Sequence, residues 1–336
     1  MLSKIRFITG IVILSLTVLC IPRLWFQDYA VRPGPDSGAK AVAVHIPDGT
    51  PLGGIKNILA GQSLIRSDIR FELLALMLGC ADSLKAGHYS VAAGSTPLEI
   101  LGRLEEGDIT SFRLTIPEGY TVKQIAGLLE ERFAYKQKEF QELCHNRTLI
   151  KSLGLKVKVL EGYLFPDTYQ LNIGMPLESV IRKMVKRFQE VYDDLLLVKE
   201  SRITSSFTRQ EIVSMASIVE KETSVPAERP LVASVLVNRL RRNMLLQVDP
   251  TVIYGLGKAG ECLSAADLIV DTPYNSYLHR GLPPGPICNP GRAALAAALN
   301  PARTPYLYFV ARNDGSHEFS CNLREHINAV NRFQRK

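Results

Sequence analysis

The chain has 336 residues, of which 46% are hydrophobic and 22% charged, with a formal net charge of +7. That length buries a sizeable core and allows two or more domains. A basic balance fits an acidic polymer or an anionic lipid surface, but no arginine/lysine cluster interleaved with stacking aromatics forms a nucleic-acid module, so nucleic acid is not an expected partner.

From the N-terminus, Lys4 and Arg6 precede an apolar run from Phe7 to Ile21, extended past Pro22 and Arg23 by Leu24, Trp25 and Phe26. With its flanks the run reaches the roughly 20 residues a helix needs to cross a bilayer. Basic residues before it place the N-terminus in the cytoplasm. A cleaved signal peptide needs small residues after Ile21, and none are there; the bulky Leu19 before Cys20 fails a lipoprotein signal. Residues 1–27 therefore read as a cytoplasmic N-terminus with an uncleaved transmembrane anchor. Residues 28–40, polar and rich in Pro and Gly, read as a linker.

An internal repeat follows. The stretch from Ile46 to Leu59 matches that from Ile116 to Leu129 without a gap. Each copy reads as a strand ending in a Pro-acid-Gly turn, then a helix with its apolar face at helical spacing. Between them the pattern predicts a helix over Ser67–Leu78, a strand over Lys85–Val91 and a helix over Thr96–Glu105. A strand–helix–helix–strand unit of this size resembles, in layout, a LysM-like module, the small fold that holds peptidoglycan N-acetyl sugars. Residues 41–135 are assigned to it, with a plain structural spacer as the alternative.

Residues 134–160 read as helix and loop. Then comes Leu160-Glu-Gly-Tyr-Leu-Phe-Pro-Asp-Thr-Tyr169, in which Tyr163, Phe165 and Tyr169 alternate with turn-forming residues. Aromatic faces beside a polar group suit the apolar face of a sugar ring; core aromatics in a short strand are the other reading. Val180–Lys199 is a basic amphipathic helix whose charges form a solvated face.

At Thr208, with Glu211 three residues later, the sequence has the form of a capping box. Ile212, Met215, Ala216 and Val219 recur at helical spacing, so one face of the helix packs on a core. Glu220 and Glu222 arrive where it should end, with Pro226 beyond. A carboxylate at the edge of an apolar stripe is partly desolvated, which raises its pKa toward what a general acid needs near neutral pH. Beyond lie a second apolar-periodic segment (Leu231–Leu240), an Ala-rich helix over Arg292–Leu299, and strands over Tyr306–Val310 and Glu318–Cys321 joined by a turn at Asn313-Asp-Gly-Ser.

Six cysteines show no C-x-x-C pair and no zinc spacing, and with Cys20 inside the apolar run five remain, an odd number. No disulfide framework is expected. The six histidines are scattered without HExxH, so no metal or other cofactor is expected.

Ser217-Ile-Val-Glu-Lys-Glu-Thr223 is followed in order by Gln247-Val-Asp-Pro-Thr-Val-Ile-Tyr254, Thr272-Pro-Tyr-Asn-Ser-Tyr277, Gly281-Leu-Pro-Pro-Gly-Pro-Ile287, Asn289-Pro-Gly291 and Pro305-Tyr-Leu-Tyr-Phe-Val310. Taken together, these segments resemble the YceG-like family of endolytic murein transglycosylases, membrane-anchored enzymes that cut bacterial peptidoglycan glycan strands. The resemblance covers nearly the whole chain and is densest from Glu161 to Asn322. It implies an α+β fold: an N-terminal transmembrane helix, the LysM-like subdomain, and a mainly helical catalytic domain over residues 136–336 with small β elements. It also implies a cell wall role at the inner (cytoplasmic) membrane, with the catalytic domain outside the cytoplasm, and association with peptidoglycan synthases.

Cutting a glycosidic bond requires a proton on the leaving oxygen. A hydrolase adds a second carboxylate. In a lytic transglycosylase the sugar's own C6 hydroxyl attacks the anomeric carbon, leaving a 1,6-anhydro ring, and one carboxyl can serve as acid and then base. Two apart on a helix, Glu220 and Glu222 diverge by roughly 160°, so only one can enter a given cleft. Their angles from the stripe do not decide between them; the resemblance does, and maps the catalytic acid onto Glu222, leaving Glu220 a supporting role. It also makes Glu161 and Tyr163 part of a cleft wall. Gln247 and Tyr274-Asn275 fall in the order of the substrate-orienting Gln and Tyr-Asn of soluble lytic transglycosylases. Asp249, Thr251, Tyr254 and Tyr277 are candidates for holding N-acetyl and hydroxyl groups, with structural polar roles as the alternative. The rival readings are a lysozyme-like hydrolase using Glu222 with Asp249 or Glu220, and a non-catalytic, membrane-anchored peptidoglycan-binding scaffold. A serine hydrolase lacks its G-x-S-x-G elbow.

Overall fold

The computed structural model describes residues 26–35, 41–92, 94–107, 111–133, 135–172, 175–197, 206–260 and 262–334. The apolar run expected to form the anchor lies outside them as far as Trp25. Among the described residues no helix is long and apolar enough to cross a membrane. The chain divides into two compact units, Met1–Arg113 with Gln170–Met175, and Leu114–Tyr169 with Pro176–Lys336.

In the first unit, residues 26–31 are helical (α1). Strands β1 (Val42–Ile46) and β2 (Gly87–Val91) pair antiparallel, Val44 opposite Tyr89. Between them run α2 (Leu52–Gly61) and α3 (Arg70–Met77), and α4 (Pro97–Glu106) follows. The order is the expected strand–helix–helix–strand. Alternation along β1 buries Val44 and Ile46, which join Ile55, Leu59, Phe71, Leu74, Ile100 and Leu104 in one core. Thr96 and Glu99 form a reciprocal capping box at the start of α4, and Gly107 ends it in the left-handed region.

Strands β3 (Ser111–Thr115) and β4 (Thr168–Asn172) pair with each other. The second copy of the repeat runs from β3 into α5 (Val122–Phe133), as the first runs from β1 into α2. Both copies turn on a glycine at φ 75°, Gly49 and Gly119, a conformation that a side chain disfavours. Residues 114–133 belong to the second unit, whereas the sequence reading extends the first to 135. The reason is α5: its face of Val122, Ile125, Ala126 and Leu129 packs on α6 (Gln137–His145).

The second unit is built round α9 (Arg209–Glu222). The sequence predicts one buried face; instead every residue from Ile212 to Val219 is buried, with α10 (Arg229–Arg241), α11 (Asp249–Leu256) and α12 (Arg292–Leu299) packed against the helix. Small residues make this possible. Ser217 lies fully inside, where its hydroxyl donates to the Ser214 carbonyl (2.7 Å) and accepts from the Ile287 amide (3.0 Å), so burial leaves no polar atom unpaired. The long α8 (Leu177–Leu197) also packs on α12. Strands β5 (Tyr308–Ala311) and β6 (His317–Ser320) form an antiparallel hairpin on which α13 (Leu323–Phe333) rests.

Candidate active site

The capping box that starts α9 forms as its sequence predicts: Thr208 accepts from the Glu211 amide, and the Glu211 carboxylate accepts from the Thr208 amide at 2.7 Å. At the other end Glu222 is the last helical residue, and Thr223 turns the chain out at φ −141°. That exit is fastened from the side. The buried Glu228 carboxylate accepts from the Thr223 hydroxyl (3.0 Å), the His317 amide (2.8 Å) and His317 Nδ1 (2.7 Å). Burial alone would raise the Glu228 pKa, but the His317 and Thr223 hydrogen bonds outweigh it and hold the carboxyl below its usual value. The β5–β6 hairpin thus fixes the peptide that follows Glu222.

Glu222 keeps a solvent-accessible edge but is otherwise enclosed by protein, as a carboxyl in a recess would be. Burial, and then the charge of Asp249, push its pKa up to about 8. Asp249 is the first residue of α11 and accepts a 2.5 Å hydrogen bond from the Tyr277 hydroxyl. Burial, the bond to Asp249 and the charges of both carboxylates raise the Tyr277 pKa in turn. Glu222, Asp249 and Tyr277 therefore form one electrostatically coupled group. With its pKa raised to about 8, Glu222 holds its proton at neutral pH, on a residue that is partly solvent-accessible.

The strand of chain leading to Asp249 is held by Arg239. This buried guanidinium donates to the carbonyls of Leu246 (2.8 Å), Leu245 (3.2 Å) and Leu307 (2.7 Å) and lies over the Tyr308 ring. Gln247 sits in the same segment at φ 52°, with its side chain exposed and Arg239 Nη1 3.5 Å from its Oε1. Thr251 and Asn275 are fully buried. Thr251 Oγ1 is bound to the Val248 carbonyl and to Ser276 Oγ; Asn275 donates to the carbonyls of Leu268 and Val270 and accepts from the Tyr277 amide. All their polar atoms serve the loop that presents Asp249 and Tyr277.

Glu161 lies in a separate cluster. Its carboxylate accepts from the amide of Val122, the first residue of α5 (3.1 Å), from Asn289 Nδ2 (3.1 Å) and from the Tyr254 hydroxyl (3.2 Å). Burial overrides these bonds and lifts its pKa to about 8. Asn289 also donates to the Tyr120 carbonyl and accepts from the Leu164 amide, both at 2.8 Å. Gly162, at φ 87°, lets this turn pass so close to Pro286 that an added Cβ would stand 2.5 Å from the Pro286 ring. The Gly281–Ile287 run is thus partly exposed at its start and deeply packed from Gly285 on.

Glu220 points elsewhere, as a two-residue step on a helix requires. It accepts from the Gly291 amide (2.9 Å) and pairs with Arg229 (3.3 Å), both side chains largely buried. Burial, the larger influence, raises its pKa. Tyr163 is buried against Phe188, ring centroids 4.9 Å apart, and Phe165 and Tyr169 are buried as well. The core reading of these aromatics is the one realised, because α8 covers the faces that a sugar would need. Of the residues singled out from sequence, Glu222, Asp249 and Tyr277 influence one another electrostatically, and Gln247, two residues before Asp249, is exposed. Glu161 and Tyr254 are hydrogen-bonded to each other in a second cluster, and Thr251, Asn275, Glu220 and Tyr163 have their side chains buried against protein partners.

Sequence reasoning passed over Arg239, Asn289, Glu228 and His317. Arg239 is one of three arginines in Asn-Arg-Leu-Arg-Arg, and nothing local separates it from the solvated ones. Asn289 stood in a quoted motif, Asn-Pro-Gly, without a role. The five described cysteines are free. No three metal-ligating side chains cluster among the described residues.

The YceG-like family matches residues 44–332 of this chain. A protein of Bacillus subtilis named endolytic murein transglycosylase is 33% identical over 322 residues, spanning 90% of this chain and 88% of the relative. A Streptococcus pneumoniae protein of the same name is 32% identical over 331 residues, but this chain spans only 59% of its length. Among solved structures, a YceG-like protein of Listeria monocytogenes superposes with a TM-score of 0.59 at 32% identity, covering 87% of this chain and 99% of its own.

Proposed function

The chain belongs to the YceG-like family, and on that premise we propose that it is an endolytic murein transglycosylase in which Glu222 is the catalytic acid. The observation that carries the assignment is the placement of Glu222 as the last residue of α9, partly exposed, its pKa raised by burial and then by Asp249, with the peptide beyond it fastened by Glu228 and His317. A carboxyl that stays protonated at neutral pH can protonate the glycosidic oxygen as the bond breaks. The resulting carboxylate then draws the proton from the C6 hydroxyl as that oxygen closes on the anomeric carbon. Glu222 is restored at the end of the cycle. The bond cut is the β-1,4 linkage from N-acetylmuramic acid to N-acetylglucosamine, and the product end is 1,6-anhydromuramic acid.

In this reading Asp249 stabilises positive charge developing at the anomeric centre, while Gln247 and Tyr277 hold N-acetyl and hydroxyl groups. The first unit holds glycan as a LysM-like module, and residues 1–27 anchor the protein in the cytoplasmic membrane with the rest outside. The substrate is uncrosslinked, nascent glycan, whose elongation the cut ends, beside peptidoglycan synthases.

Asp249 also favours one other reading, since a second carboxylate coupled to the acid is what a hydrolase needs. Mass spectrometry of glycan strands digested by the full chain, beside Glu222→Gln, separates the two. Anhydro-ended internal fragments from wild type alone support the transglycosylase, reducing ends from wild type alone the hydrolase. Full cleavage by Glu222→Gln would remove Glu222 from the reaction.

A further inference from the structure

Helix α3 carries apolar residues on two opposite faces, with Arg70 and Glu72 between them. Phe71, Leu74 and Ala75 are buried in the first unit's core. Opposite them, Ile69 at the N-cap, Leu73, Leu76 and Met77 remain 60, 38, 61 and 73% exposed. At 100° per residue these four fall within a sector about 100° wide, so they form one stripe. A contiguous exposed apolar face marks a docking surface.

The origin of the chain indicates what covers that stripe. The apolar run of the sequence ends at Phe26, which packs against the first unit's core. Three residues on, the Tyr29 ring lies 4.5 Å from the guanidinium of Arg70, the first residue of α3. The contact ties the start of α3, through two side chains, to the segment that continues the run. A run inserted in a membrane therefore brings the first unit's α3 beside the bilayer surface.

The charges around the stripe have the matching sign. Asp28, Asp68 and Glu72 are each ion-paired, to Arg32, Arg70 and Lys56. Arg66 is exposed. Arg32, Arg66, Arg70 and Tyr29, together with the Asp28 carboxylate that pairs with Arg32, line a small cavity of about 30 Å³. The buried Tyr29 hydroxyl has no hydrogen-bond partner among the described residues, so a phosphate oxygen there would satisfy it.

We infer that α3 rests on an anionic phospholipid bilayer, its stripe of Ile69, Leu73, Leu76 and Met77 at the boundary between acyl chains and headgroups, with a lipid phosphate at the Tyr29–Arg66–Arg70 cavity. This rests on reading residues 7–26 as a membrane anchor. It makes the first unit a peripheral membrane module in addition to whatever glycan it holds.

The test uses the full chain in phosphatidylglycerol/phosphatidylcholine vesicles with brominated acyl chains, on a background of Cys20→Ser, Cys262→Ser and Cys321→Ser. Bimane is attached through Met77→Cys, Thr17→Cys or, as a control in the second unit, Glu131→Cys. Several-fold quenching at positions 17 and 77 but not 131 is the expected result. Quenching at 77 without 17 would keep the docking surface and discard the anchor. Quenching at 17 without 77, at none, or equally at all three would overturn the inference. So would a blue shift at 77 without bromine quenching, because a second copy or another protein would then be the occupant. Arg66→Glu, or phosphatidylcholine alone, should cut quenching at 77 at least twofold; no change would overturn the headgroup contact.

Discussion

The carboxylate of Asp249, tied at 2.5 Å to the Tyr277 hydroxyl, stands close enough to Glu222 for its charge to raise the pKa of the buried acid. Burial first, and then that neighbouring negative charge, disfavour the ionised form of Glu222. Activity that needs protonated Glu222 should fall through about pH 8 on the alkaline side. Asp249→Asn removes the charge that lifts Glu222, so the alkaline limb of kcat/KM should move to lower pH. A pH–rate profile of glycan cleavage checks it; an unmoved limb would detach Asp249 from the acid.

The same proton governs stability. Glu222 has a pKa of about 8 in the folded chain against 4.5 for the free group. Below 4.5 both states hold the proton. Between the two values the folded state binds more protons than the unfolded one, so stability falls as pH rises, and above 8 the loss is complete. Glu222→Gln abolishes this titration. Relative to wild type the variant should gain about 1–3 kcal/mol between pH 4.5 and pH 9, the full shift being discounted for the hydrated edge of the carboxyl. Thermal melts of both proteins across that range measure it.

Glu220 and Glu222 should respond in opposite ways. Glu220→Ala removes the nearer carboxylate from Arg229, leaving Glu118 at 3.9 Å, and strands the Gly291 amide, a loss of about 2 kcal/mol in stability. Glycan cleavage by the fraction that stays folded should persist. Glu222→Ala should leave stability at neutral pH unharmed and lower kcat by about a thousandfold or more, the scale of acid catalysis and charge stabilisation together. Denaturant unfolding beside single-turnover cleavage separates the two.

Gly162→Ala should cost about 3 kcal/mol or more. It combines a backbone at φ 87° with a Cβ placed 2.5 Å from Pro286 and 2.9 Å from Val213. Urea midpoints give the size, and a change under 1 kcal/mol would show that the turn relaxes.

Much of this arrangement was legible beforehand, for local reasons. The capping box at Thr208, the turns of the repeat and the hairpin partners of β5 are each specified within a few residues. What pattern could not supply was distant pairing. Periodicity showed Glu220 and Glu222 on opposite sides of a stripe; it could not show that one side meets Arg229 and Gly291 while the other opens beside Asp249. Tyr163 and Phe165 had the spacing of a ligand-facing segment, and only the position of α8 decides that they are core. Arg239 and His317 act on chain segments 68 and 89 residues away, a separation that no local signal spans.

Asn289 bears on when the cluster around Glu161 can close. Its side chain joins Tyr120, Glu161 and Leu164, between 125 and 169 residues earlier in the chain. Contacts of such separation form late, because the intervening chain must first be ordered. While the polypeptide emerges from its point of synthesis, Glu161 therefore waits for a donor and the turn at Gly162 has nothing to close against. The cluster around Glu161 closes only after Asn289 has been made, more than a hundred residues after the acid it holds.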